Sequence, residues 1–130
     1  MRRDVFTEEH EMFRSEVRRF AEREPAPGVE RWIADGDTDR QTWLRMGEAG
    51  LLGGNVASEY GGAGADFLFS ARVLEELARI RAWALQVAVH CDTSTPFLTH
   101  FGSEEQKHRY LPPRRARPVS YTHLTLPTKA

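Results

Sequence analysis

Three neighbours, His90, Cys91 and Asp92, carry the side-chain types most used for nucleophilic catalysis and metal binding. Consecutive helical residues point about 100° apart, so the three cannot converge on one atom. Cys91 is the one cysteine of the chain, and no second cysteine or paired histidine spacing completes a zinc set. A cysteine within an apolar helix reads as a small core residue. Asp35, Asp37 and Asp39 imitate the start of a calcium loop, but Arg40 stands where that loop needs glycine and Met46 where it needs a bidentate glutamate. Gly62-Ala63-Gly64 begins a dinucleotide fingerprint that fails at Phe67, and no strand precedes it. Glu8, Glu9, His10 and Glu11 read as the solvated first turn of a helix. Arg114, Arg115 and Arg117 form a short basic run among prolines. None of these patterns assigns a catalytic residue or a metal site.

Composition narrows the partners further. The 130 residues hold 18 Lys plus Arg against 19 Asp plus Glu, so no net field draws the chain to nucleic acid or to an anionic membrane. No run of 18 apolar residues is present to span a bilayer. The N-terminus leads into charged residues instead of a signal-peptide core, and with an unpaired cysteine this gives a cytoplasmic, reducing compartment as the expectation.

Periodicity then predicts an all-α domain of five or six helices. Thr7 is a candidate cap, with Phe13, Val17, Phe20 and Ala21 on one face of a helix over about 8–24, which Pro25, Pro27 and Gly28 end. Trp32 and Ile33 suggest a turn or short helix. Asp39 can cap the next helix and Gly50 can release it in a left-handed conformation. The glycine-rich stretch 53–64 reads as an extended loop. Asp66 restarts helix, and to about residue 81 Phe67, Ala71, Leu74 and Ala78 fall in one stripe that Leu68, Val73, Leu77 and Ile80 widen, a width that predicts burial on several sides. The segment Trp83 to Val89, apolar except for Gln86, predicts the most central helix. Thr93, Ser94 or Thr95 would cap a further helix with Pro96 in its first turn, Gly102 would end it, and Ser103-Glu104-Glu105-Gln106 is a capping box for a last helix to Tyr110. Residues 113–130 show no amphipathic period and no cap, and are expected to be a disordered tail foreign to the domain.

Four phrases in one order carry a resemblance: Trp43-Leu44-Arg45-Met46-Gly47-Glu48-Ala49-Gly50-Leu51-Leu52-Gly53, Ser58-Glu59-Tyr60-Gly61-Gly62-Ala63-Gly64, Glu75-Glu76-Leu77-Ala78-Arg79, and Phe101-Gly102-Ser103-Glu104-Glu105-Gln106-Lys107 running on to Tyr110-Leu111-Pro112. Together they resemble the N-terminal helical domain of the acyl-CoA dehydrogenases, over about residues 4 to 112. Gly54-Asn55-Val56-Ala57 is a departure from that family's usual lead into the Ser-Glu-Tyr-Gly-Gly loop, and so is Pro25 in its own segment.

The resemblance implies a domain over 1–112 that forms one wall of an acyl-chain cavity. The flavin (FAD) domain and the glutamate base belong to later parts of such an enzyme, so residues 1–130 alone are expected to be inactive. It further implies α,β-dehydrogenation of an acyl-CoA, an electron-transfer flavoprotein as electron acceptor, and homo-oligomerisation of the complete enzyme. By position relative to the closing phrase, the wall falls on Gln86, Val89, His90 and Thr93, whose i, i+3, i+4, i+7 spacing puts them on one α-helical face. The alternatives are a stand-alone helical protein-interaction module, or the same domain of an acyl-CoA oxidase or flavin monooxygenase.

Overall fold

The computed structural model describes residues 5–111, and the expectation for 113–130 lies outside them. Six α-helices stand among the described residues: α1 (Glu8–Arg23), α2 (Val29–Asp35), α3 (Arg40–Glu48), α4 (Phe67–Arg79), α5 (Thr95–Phe101) and α6 (Glu104–Tyr110). No strand occurs among these residues, and no helix is long and apolar enough to cross a membrane. The described residues divide into two compact units, one made of 5–38 with 66–85, the other of 39–65 with 86–111.

In the first unit α1 and α4 pack side by side. Their partners ascend together: His10 with Asp66, Glu11 with Arg72, Arg14 and Arg18 with Glu76, Glu22 with Arg79. The helices therefore run parallel, and their positive N-terminal ends lie together, which acidic residues at those ends offset. Glu8, Glu9 and Glu11 occupy the first turn of α1, and Asp66 caps α4 through a 2.9 Å bond from the Leu68 amide.

His10 ties the two ends together. The Thr7 amide donates to its Nδ1 at 2.9 Å, so Nε2 carries the hydrogen, which points at Asp66 Oδ1 3.2 Å away. Phe6 and Phe69 pack on its ring. This corrects the reading of residues 8–11 as a solvated turn: the glutamates are exposed, but His10 is buried. The glycine and proline run after α1 forms a short 3-10 turn at Ala26–Gly28. The Trp32 indole of α2 lies so close over Gly28 that a Cβ there would be 2.8 Å from the ring.

Glu76 is the electrostatic centre of this unit. Only 1% exposed, its carboxylate accepts from Arg14 Nε at 2.8 Å, Arg18 Nε at 2.9 Å and Arg79 Nε at 3.1 Å. The Arg18 bond, then those of Arg14 and Arg79, outweigh burial and hold the Glu76 carboxyl at about 2, against an ordinary 4.5. Arg72, also buried, pairs with Glu11 and Glu75 and lies over the Phe6 ring.

The α3 and α4 helices end in the same way with different residues. After α3 the Leu51 amide reaches the Met46 carbonyl and the Gly50 amide that of Gly47, with Gly50 at φ 77°. After α4 the Ala82 amide reaches Leu77 and the Arg81 amide Ala78, with Arg81 at φ 63°. Both are left-handed helix stops, but the second puts a side chain where glycine is usual. That stop corrects the expectation for Trp83 to Val89. The segment is a 3-10 turn, Trp83–Leu85, followed by Gln86 at φ 52°, and Trp83 is 65% exposed. A run apolar on every side carries no phase, so its pattern could not reveal the break.

In the second unit Asp39 caps α3 through the Thr42 amide at 2.8 Å. The glycine-rich loop closes on itself, Gly64 N–H bonding the Val56 carbonyl at 2.8 Å and Ala65 N–H that of Gly54 at 2.9 Å. Gly62 lies against Val56 so tightly that a Cβ would be 2.0 Å from the Val56 oxygen. Val56, Tyr60 and Leu111 form a buried cluster with Leu98 against it. The Tyr60 hydroxyl donates to Glu104 at 2.7 Å, which pushes the phenol up to about 12 and Glu104 below the usual carboxylate range. The Ser103–Gln106 capping box forms in both directions, at 2.8 and 3.2 Å.

Candidate functional site

The four wall candidates belong to the second unit, in a helical run over 87–101 whose centre, Val89–Ser94, is a π-helical turn leading straight into α5. Gln86 stands before the run, and its carbonyl accepts from the amides of Val89 at 3.0 Å and His90 at 3.3 Å. None of Thr93, Ser94 and Thr95 acts as a cap, since the chain is already helical there: Ser94 has φ −67°, ψ −40°. The Thr95 hydroxyl instead donates back to the His90 carbonyl at 2.7 Å.

The turn is wide because of Pro96. A proline inside a helix lacks the amide hydrogen and crowds the carbonyl four residues back. Opening the preceding turn to five-residue bonds relieves that crowding, and the Thr95 amide accordingly bonds the His90 carbonyl. The expectation that Pro96 falls harmlessly in a first turn is thereby corrected.

This geometry separates the four candidates. Gln86, Val89 and Thr93 are exposed, whereas His90 is 2% exposed and its ring meets that of Trp43 edge-on, 5.5 Å between centroids. The expected common face fails at two residues: Gln86, left-handed, stands before the helical run, and the π turn rotates less per residue than an α-helix, which takes His90 off the face that Val89 and Thr93 share. What the structure does line up is Val89, Thr93, Phe97 and Phe101, all exposed and four residues apart, with the last two rings 5.0 Å apart. Cys91 is buried on the other side of the turn.

Sequence reasoning missed Phe97, Phe101, Trp43 and Asn55 as parts of this region. The available signal was Pro96, which demands a local remedy within any helix extending past it. Asn55 Nδ2 supplies part of that remedy, donating to the Cys91 carbonyl at 3.1 Å from the glycine-rich loop.

Capped helices, a self-closed loop and an exposed strip along one helical run make up an all-helical domain, with no assembled acid, base or nucleophile among the described residues. The family model for the N-terminal domain of acyl-CoA dehydrogenases matches residues 7–116. The chain belongs to the acyl-CoA dehydrogenase family. It is 36% identical over 110 residues to the long-chain specific acyl-CoA dehydrogenase of rat mitochondria, covering 85% of this chain and 26% of that protein. A solved acyl-CoA dehydrogenase from Geobacillus kaustophilus superposes with a TM-score of 0.81 at 38% identity, over 85% of this chain and 29% of that one. One from Bacillus anthracis, solved in complex with FAD, superposes with a TM-score of 0.74 at 32% identity, over 92% and 21% respectively. The chain thus spans about a quarter of the length of the relatives it matches.

Proposed function

We propose that this chain forms one wall of the acyl-chain cavity in a flavin-dependent dehydrogenase that converts an acyl-CoA thioester to the trans-2-enoyl-CoA. The observation that carries the reading is the exposed strip from Val89 through Thr93 to Phe97, on a helical run whose buried side is fixed by His90 against Trp43. A saturated acyl tail needs an apolar surface that excludes water and fixes the reacting carbons by holding the rest of the chain still. Gln86 adds one exposed amide beside that surface.

In the 53–64 loop Gly62 serves a close approach of the loop's own backbone, on Val56. FAD, when bound in the complete enzyme, accepts the hydride. The role of residues 1–112 is to shelter the tail, and no base is assigned in them. An electron-transfer flavoprotein would take the electrons onward, and the complete enzyme would be a homo-oligomer.

The test is steady-state dehydrogenation by the full-length protein across acyl-CoA lengths, with Val89→Trp as the probe. The substitution should depress kcat/KM for palmitoyl-CoA more than for butyryl-CoA, and residues 1–130 alone should reduce no electron acceptor. A full-length protein inactive on every acyl-CoA, or a length profile untouched by Val89→Trp, refutes the reading.

A further inference from the structure

We propose that Asn55 is a positioning residue that sets the acyl-chain length the wall accepts, by holding open the π turn on which the wall residues stand. The inference rests on the dehydrogenase reading above and goes beyond it. In the wide register each carbonyl is served by the amide five residues later, as His90 is by Thr95. The carbonyl next in line is that of Cys91, and the residue five further on is Pro96, which has no hydrogen to give. Asn55 Nδ2 donates to that carbonyl at 3.1 Å. The Thr95 hydroxyl adds a bond to the His90 carbonyl at 2.7 Å, so two side chains serve the adjacent carbonyls of His90 and Cys91.

The second amide atom marks what Asn55 is there to do. Its Oδ1 is buried without a hydrogen-bond partner, an arrangement that penalises the residue unless the donor is required. The loop around it is fixed independently, by the Gly64 to Val56 and Ala65 to Gly54 backbone bonds on either side. Asn55 therefore presents its amide from a rigid support.

The consequence for a ligand follows from register. With the turn open, Val89, Thr93, Phe97 and Phe101 succeed one another at four-residue steps and cover about 18 Å at an α-helical rise, a strip suited to a long, unbranched acyl tail. If the turn closed to α-helical bonding, everything before it would rotate by about 100° relative to α5. Val89 would leave the strip, and its far end alone would remain.

The experiment compares kcat/KM of the full-length protein for palmitoyl-CoA and butyryl-CoA in four forms: wild type, Asn55→Ala, Pro96→Ala, and the double variant. Asn55→Ala should lower the palmitoyl-to-butyryl ratio by roughly tenfold, the scale on which apolar subsites discriminate. The Pro96→Ala substitution supplies the backbone amide that proline lacks, so the double variant should recover most of the ratio. Recovery separates this role from general destabilisation, which a second core substitution would not reverse. An unchanged ratio in Asn55→Ala, or equal losses on both substrates that Pro96→Ala fails to restore, overturns the proposal while leaving the dehydrogenase reading intact. Wild-type inactivity on both substrates overturns that reading itself, and the proposal with it.

Discussion

Replacing Glu76 with glutamine should destabilise the domain at neutral pH and do almost nothing in strong acid. The carboxylate is buried, held by Arg14, Arg18 and Arg79, and its carboxyl lies at about 2 in place of 4.5. Such a depression corresponds to roughly 3 kcal/mol favouring the folded state when the group is ionised. The three guanidiniums are themselves one-third or more exposed, so water screens part of that and about 2 kcal/mol is the working expectation. For a domain of this size the loss translates to about 8–16 °C in Tm. Because the folded value is the lower one, the contribution is complete above about 4.5 and drains away as pH falls toward about 2. Urea titrations of Glu76→Gln and wild type, followed by circular dichroism at closely spaced pH values, would trace the gap. It should be constant from neutral pH down to about 5 and vanish near 2. A gap of under about 0.5 kcal/mol at pH 7, the scale of an ordinary surface substitution, or one of equal size in acid and at neutrality, would refute the assignment of Glu76 as a charged keystone.

Two further outcomes follow from the second unit. Gly62→Ala places a Cβ 2.0 Å from the Val56 oxygen, and since backbone must move to admit it, the loss should reach about 3 kcal/mol; a Tm within a few degrees of wild type would contradict the packing described. Tyr60 should resist ionisation until about pH 12, as read from its own ring carbon signal in NMR, and Glu104→Gln should bring that titration back toward 10, because the strong hydrogen bond to the carboxylate is weakened and the charge that opposes the phenolate is gone.

Much of the architecture was legible because it depends on neighbours in the chain. The Asp39 and Asp66 caps, the Ser103–Gln106 box, the Gly50 exit and the ends of α1 and α6 are all local bonds between residues a few positions apart. The family was legible too, because four phrases retain their order. Illegible were the stops that break local custom. Arg81 and Gln86 adopt left-handed conformations that glycine would ordinarily supply, so although the end of α4 near residue 81 was foreseen, nothing in their identities announced the turn between them at Trp83.

The candidate site shows the same division more sharply. Sequence by itself determined that the chain is helical, that Pro96 follows a polar cluster, and that the run leading to Val89 is apolar. Tertiary structure alone decided that Pro96 lies inside a continuous helical run, that His90 turns inward onto Trp43, and that an asparagine 36 positions upstream of Cys91 serves its carbonyl. A residue's type fixes which bonds it is able to make, but only the folded chain brings together donors and acceptors that sequence holds far apart, as it does Asn55 and the Cys91 carbonyl.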